Sequence, residues 1–283
     1  MRNILSRTGA AIALVLAASF PATADDDLVA RGAYLVDTVM ACGNCHTPMG
    51  PNGPDLGRHL SGGLHFDTPY FTVTASNLTS HETGLGTWSD DEIKRAIATG
   101  HRPDGSALAP IMPTSFYHVL TPRDLDAVVA YLRTVPPVDN AVPVPRYEGP
   151  PPPAFPGAES PILEDEQDAD PLRKGFYLVT IAHCMECHTK INEGGGRGTM
   201  GAGGMELPGP WGVAVSANIT SHPEAGIGEW SDEEIIRAIT TGVSRDERPL
   251  SPPMGYRYYA GIAPDDLAAM VAYLRTVPAA DAP

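Results

Sequence analysis

The chain is written twice. Cys42-Gly-Asn-Cys45-His46-Thr47 recurs 142 positions later as Cys184-Met-Glu-Cys187-His188-Thr189. The stretch SNLTSHETGLGTWSDDEIKRAIATG (76–100) recurs as SANITSHPEAGIGEWSDEEIIRAITTG (216–242), and AYLRTVP closes each copy at 130–136 and 272–278. Self-similarity of this length marks two homologous domains rather than a short-period solenoid. Between the copies, 26 residues from Pro136 to Pro161 contain ten prolines, and the acidic LEDEQDAD follows. Such a stretch reads as a stiff, extended connector with no core of its own, able to lie across the domain surfaces. The expected organisation is a leader over 1–24, a first domain over 25–137, a Pro-rich acidic linker over 138–171 and a second domain over 172–283.

The leader is read from Arg2 and Arg7, the apolar run AAIALVLAASF and the small residues Ala22 and Ala24, which together describe a secretory signal peptide. The run is too short for a membrane span, although an uncleaved N-terminal anchor is the alternative. No later segment approaches a span. The expectation is an exported, periplasmic product starting near Asp25, without an integral span after cleavage and with peripheral membrane association at most. The formal charge is −15 overall, and without the two leader arginines it is −17. Nothing here could neutralise a phosphate backbone, so nucleic acid is not expected as a partner. A protein with a basic docking face fits better, its attraction acting on encounter rate; acids that merely keep an exported chain soluble would look the same.

Periodicity predicts an all-α fold. Ser89-Asp-Asp-Glu92 and Ser231-Asp-Glu-Glu234 are capping boxes, opening helices that stop at Gly100 and Gly242. Thr121-Pro122 and Ala263-Pro264 open the final helix of each domain. Leu125, Val128, Val129 and Leu132 form one buried stripe, and Leu267, Met270, Val271 and Leu274 repeat it. Further helices are expected from about Leu28 into Cys42 and from about Pro171 into Cys184. The only extended piece expected is YFTVTAS.

All four cysteines lie in the two C-x-x-C-H motifs. Export argues against free thiols. Thioredoxin-like exchange wants a βαβ context that the pattern lacks. Zinc would need a second ligand pair at zinc-site spacing, and there is none. C-x-x-C-H is instead the attachment signature of c-type haem. The expectation is two covalently bound haem c groups, held by Cys42, Cys45, Cys184 and Cys187, with His46 and His188 as iron ligands. Met112 and Met254 each lie 66 residues after their histidine, in a loop beside proline, and are expected as the second axial ligands. His59, His65, His101 and His118 have no counterparts in the second domain. His81 and His222 do correspond, in a loop where a structural role is expected. His183 is expected on the proximal side, exposed.

On these residues the chain resembles tandem dihaem class I cytochromes c. The pattern N-[LI]-T, G-[LI]-G-x-W-S-D-x-E-I-x-R-A-I-x-T-G, a Pro-flanked Met and an A-Y-L-R helix is similar to the cytochrome subunits of periplasmic dehydrogenases acting on alcohols, sugar acids or aldehydes. Many of those carry three haems and a C-terminal anchor, where this sequence has two motifs and no anchor. The resemblance implies that the N-terminal helix of each domain (Gly32, Tyr34; Gly175, Tyr177) crosses the final helix near Tyr131 or Tyr273. It also implies that Asn77, Trp88, Asn218 and Trp230 face the haem propionates, core burial being the plainer reading of the tryptophans. The function it implies is electron transfer from a dehydrogenase donor to a terminal oxidase or another cytochrome. The competing reading is a dihaem enzyme, a peroxidase or an oxidase of a small sulfur compound, which would need one exchangeable haem ligand. A haem-based gas sensor ranks last, for want of a signalling segment.

Overall fold

A computed structural model of the chain describes residues 24–281 apart from 52, 193–195 and 210. Except for Ala24, the expected leader lies outside the described residues. The first domain begins with α1 (Ala24–Tyr34), which runs into a π-helical turn over Leu35–Val39. There follow α2 (Gly43–His46), the hairpins β1–β2 (Met49–Gly50, Gly53–Pro54) and β3–β4 (His65–Asp67, Thr72–Thr74), then α3 (Asp90–Thr99), α4 (Thr114–Tyr117) and α5 (Pro122–Thr134). After a short linker helix α6 (Glu164–Gln167), the second domain repeats the plan with α7 (Pro171–Ile181), α8 (Cys184–Cys187), β5–β6 (Glu206–Gly209, Gly212–Val215), α9 (Asp232–Thr241), α10 (Tyr256–Tyr259) and α11 (Pro264–Leu274).

The caps are as the sequence requires. Ser89 Oγ accepts the Glu92 amide, while the Glu92 carboxylate accepts the Ser89 amide at 2.8 Å; Ser231 and Glu234 do the same for α9. Gly100 and Gly242 end both helices in the left-handed conformation at φ 72° and 69°. In each domain the first and last helices cross at a glycine. A Cβ on Gly32 would overlap the Ala127 carbonyl oxygen, and one on Gly175 the Ala269 carbonyl oxygen, so only glycine permits this backbone approach. Tyr131 and Tyr273 stand at the two crossings, and Tyr131 Oη donates to Asp37 at 2.5 Å.

Three expectations are corrected. The helices expected to run into Cys42 and Cys184 break first, at Ala41 (φ 48°) and His183 (φ 43°). A left-handed non-glycine residue costs about 1–2 kcal/mol, and here it turns the chain so that each C-x-x-C-H helix starts on a new axis. The described residues also hold three small antiparallel hairpins; YFTVTAS falls in one, but Glu206–Val215 was read as coil. Its strand residues include three glycines and prolines, which hide the pattern. Finally, the linker supplies core. Phe155, Ala158 and Ile162 are buried, and Phe155 stacks on Phe116 with centroids 4.6 Å apart. The Phe155 amide donates to Ser115 O at 2.7 Å, the Ile162 amide to Val119 O at 3.0 Å, and Arg146 pairs with Thr72 beside β4.

The two domains meet through a reciprocal exchange. Asp124, buried in the first turn of α5, takes a fork from Arg31 of its own domain at 2.8 and 2.7 Å. It also accepts the hydroxyl of Tyr177 from the other domain at 2.6 Å. Asp266, equally buried in α11, pairs with Lys174 of its own domain at 2.5 Å and accepts the hydroxyl of Tyr34 from the first domain at 2.5 Å. Burial, reinforced by these carboxylates, pushes both tyrosines well above their ordinary pKa.

Replacing Asp124 with alanine should therefore destabilise the protein by about 3–5 kcal/mol, because a largely buried guanidinium loses its partner. Tyr177→Phe should cost about 1–2 kcal/mol, since Arg31 still pairs with Asp124. Urea unfolding of the two variants checks the ranking, and equal losses would contradict it.

Candidate functional site

Each site is built on one short helix. α8 contains both cysteines of its motif, α2 contains Cys45 with Cys42 at its N-cap, and no disulfide joins either pair. Burial pushes the thiols of Cys42, Cys45 and Cys184 up to about 12, and moves Cys187 in the same direction. Such sulfurs are neutral in an apolar setting, which disfavours exchange chemistry and thiolate–metal binding and suits a thioether. Among the described residues no cluster of three or more His, Cys, Asp or Glu could hold a metal ion by itself.

The histidines are tied from behind. His46 Nδ1 donates to Ser76 O and His188 Nδ1 donates to Ala217 O, both at 2.7 Å. A carbonyl can only accept, so this bond fixes the proton on Nδ1 and leaves the Nε2 lone pair for a metal. Burial lowers the pKa of both rings, against a smaller upward pull from that bond, which keeps the imidazoles neutral. The threonine after each histidine fastens the next loop. Thr47 Oγ1 accepts the Leu60 amide at 3.1 Å, and Thr189 Oγ1 accepts the Gly201 amide at 3.2 Å.

Met112 sits in a tight turn, its amide donating to Ala109 O at 2.9 Å, while its own carbonyl accepts the Thr114 amide at 2.7 Å. Met254 begins a similar turn from Ser251 at 3.3 Å. Both are half-buried against the core. Trp88 and Trp230 are half-buried too, with no protein partner for either indole N–H among the described residues. Their carbonyls are gripped by Arg133 at 2.5 Å and Arg275 at 2.7 Å, which also pair with Asp90 and Asp232 at the starts of α3 and α9. Sequence reasoning missed these arginines, although both stand in the shared A-Y-L-R; only the apolar stripe of that helix was read.

The asparagines have other work. Asn77 donates both amide hydrogens within the protein, to Val138 O at 2.8 Å and Thr83 Oγ1 at 3.1 Å. Asn218 donates one, to Ala280 O at 2.7 Å, and keeps the other. Each Oδ1 caps the following threonine, so both clamp the chain that leaves the final helix. His81 and His222 accept amides of their own loops, as expected. His183 is not exposed as expected. It lies edge-on to Tyr117 of the first domain and pairs with Glu186 at 3.1 Å. The two motifs are neighbours, for the Glu186 carboxylate of the second motif helps to raise the pKa of the Cys45 thiol in the first.

The residues present fit a covalently held haem in each domain. Neutral, half-buried sulfurs stand ready for thioether bonds and an imidazole has its Nε2 free. Unpartnered donors, the two indoles and the buried Nε of Arg237, remain for an anionic edge.

Comparison with known proteins agrees. The cytochrome c family model matches residues 29–136 and again 172–278. The fructose dehydrogenase cytochrome subunit of Gluconobacter japonicus is 33% identical over 92% of this chain and 54% of its own length. The alcohol dehydrogenase (quinone) cytochrome c subunit of Gluconacetobacter polyoxogenes is 30% identical over 96% of this chain and 61% of its own. A diheme cytochrome c-type of Cereibacter sphaeroides is 28% identical over 84% and 82%. The chain thus spans little more than half the length of the first of these relatives. It belongs to the cytochrome c family, as two such domains in tandem with two covalently bound haem c groups.

Proposed function

We propose that this protein is an exported electron carrier, loaded by a dehydrogenase and unloaded by a terminal oxidase or another cytochrome. The observation that carries the reading is the duplicated set of sulfurs, back-tied imidazole and Pro-flanked methionine at identical spacing. The relatives named as dehydrogenase cytochrome subunits support the donor class. In this reading Cys42, Cys45, Cys184 and Cys187 would hold the two haems, His46 and His188 would bind the irons, and Met112 and Met254 would be the second iron ligands. Trp88, Trp230 and Asn218 have donors to offer the propionates, as does Arg237; Asn77 serves the loop instead. When bound, each haem supplies a one-electron iron couple, and a methionine sulfur sets its potential relatively high. A histidine and a methionine from the chain would together complete the binding of each iron and leave no place for substrate, which favours a carrier over a peroxidase or sulfur-compound oxidase.

Residues 25–137 and 172–283 would form the two carrier domains, with 138–171 as the strap between them and 1–24 as a cleaved leader directing the product to the periplasm. No helix among the described residues is long and apolar enough to cross a membrane. The acidic surface suits a donor with a basic docking face.

A pyridine haemochrome assay is expected to give two covalent haems per chain, and one or none would refute the reading. Met112→Ala and Met254→Ala should each remove one iron–methionine contribution from the long-wavelength absorption of the oxidised protein; an unchanged spectrum in both would refute the ligand assignment. Reduction by the physiological dehydrogenase should slow steeply as ionic strength rises through about 0.1 M, where screening shortens to roughly 10 Å. A salt-independent rate would exclude electrostatic docking, and rapid turnover of peroxide or thiosulfate would favour an enzyme.

A further inference from the structure

The two methionine loops are held differently. In the second domain, the turn before Met254 and the helix α10 lie on the attachment motif of the first domain. Asn44, inside the first C-x-x-C, donates from Nδ2 to the carbonyl oxygen of Pro253 at 2.9 Å. Pro253 is the residue immediately before Met254, and Asn44 is two residues before His46. Beside this bond the Tyr258 ring rests on Gly43, where an added Cβ would stand 2.8 Å from Cε1, and Gly261 is pressed against Thr38. The hydrogen bond has no mirror image. The counterpart of Asn44 is Glu186, a carboxylate with no hydrogen to donate, and it faces His183 at 3.1 Å. The helix after Met112 also touches the second domain, with Tyr117 edge-on to His183 and Arg197 over the Phe116 ring at 5.1 Å. Among the described residues, though, no hydrogen bond from the second motif reaches a carbonyl of that loop, which is fastened by the linker amide of Phe155 on Ser115 O at 2.7 Å and by the Phe116–Phe155 stack.

We propose that Asn44 is a positioning residue for the second haem: it pins the carbonyl next to Met254, so that methionine ligation there leans on a hydrogen bond from the first domain, whereas no such bond from the second domain holds the loop of Met112. The proposal rests on Met254 being an axial ligand. When the loop lifts and the sulfur leaves, the Asn44–Pro253 bond must break as well. A hydrogen bond between half-buried groups biases such an opening by roughly fivefold.

The test uses the full haem-loaded chain. Proton NMR of the reduced protein resolves the ring-current-shifted methyl group of each iron-bound methionine, and added imidazole competes for the iron in the oxidised form. In Asn44→Leu, imidazole should displace Met254 at about one fifth of the wild-type concentration while displacement of Met112 is unchanged. Asn44→Gln, which keeps an amide donor, should recover most of the difference, and Asn44→Ala should match Asn44→Leu. Hydrogen exchange of the amides around Met254 should quicken in the leucine and alanine variants alone. Equal shifts at both methionines would mean general loosening of the interface and would overturn the proposal, as would no shift at either. A wild-type spectrum without a second bound methionine would overturn the ligand assignment, and this proposal with it.

Discussion

Two buried carboxylates hold this molecule together. Asp124 and Asp266 lie in the first turn of the last helix of their domains, and each answers three demands. It receives a cation from the first helix of its own domain, it lies near a helix N-terminus where negative charge is favoured, and it accepts a tyrosine hydroxyl from the other domain. Without the intradomain pair the crossing of first and last helices would lose its polar lock. Without the tyrosines the two domains would lose both hydrogen bonds to these carboxylates. Position of the haem motifs follows from both, since each motif begins where the first helix breaks.

The linker extends the same logic. A proline-rich stretch has little chain entropy to lose, so laying it across the first domain costs less than ordering a flexible one. Phe155 and Ile162 then enter an apolar core that short helices alone would leave thin. The second domain has no comparable strap among the described residues, and its ligand loop leans on its neighbour instead.

Much of this was legible in the sequence, and the reason is local chemistry. A capping box, a glycine stop and a C-x-x-C-H motif each need only a few adjacent residues, so Ser89, Gly100 and Cys42 announce their roles. The helix crossing at Gly32 and Gly175 came from the resemblance to known cytochromes rather than from local chemistry. The interface was not legible. In a tandem repeat Tyr34 and Tyr177 occupy equivalent positions, and the pattern cannot say whether each hydroxyl serves its own domain or the other. The linker side chains escaped because ten prolines conceal one phenylalanine. The left-handed break at Ala41 has no composition signal, for alanine does not favour that conformation, and at His183 the enrichment of histidine there is too weak to announce a break. The partner of Asn77, Val138 O, comes from the linker, and nothing in the sequence says which loop that stretch will meet.

The exchange of tyrosines has a consequence for what kind of object this is. When residue i of one unit meets residue j of the second, and j of the first meets i of the second, the contact is isologous, the self-complementary arrangement of a two-fold dimer. Tyr34 with Asp266 and Tyr177 with Asp124 satisfy that condition. The chain is thus a covalently fused homodimer in geometry, with the linker supplying the high effective concentration that two separate cytochrome domains would need to find each other. Fusion also frees the halves to differ, and one amide hydrogen, present on Asn44 and missing from Glu186, is enough to make two equivalent haem sites unequal.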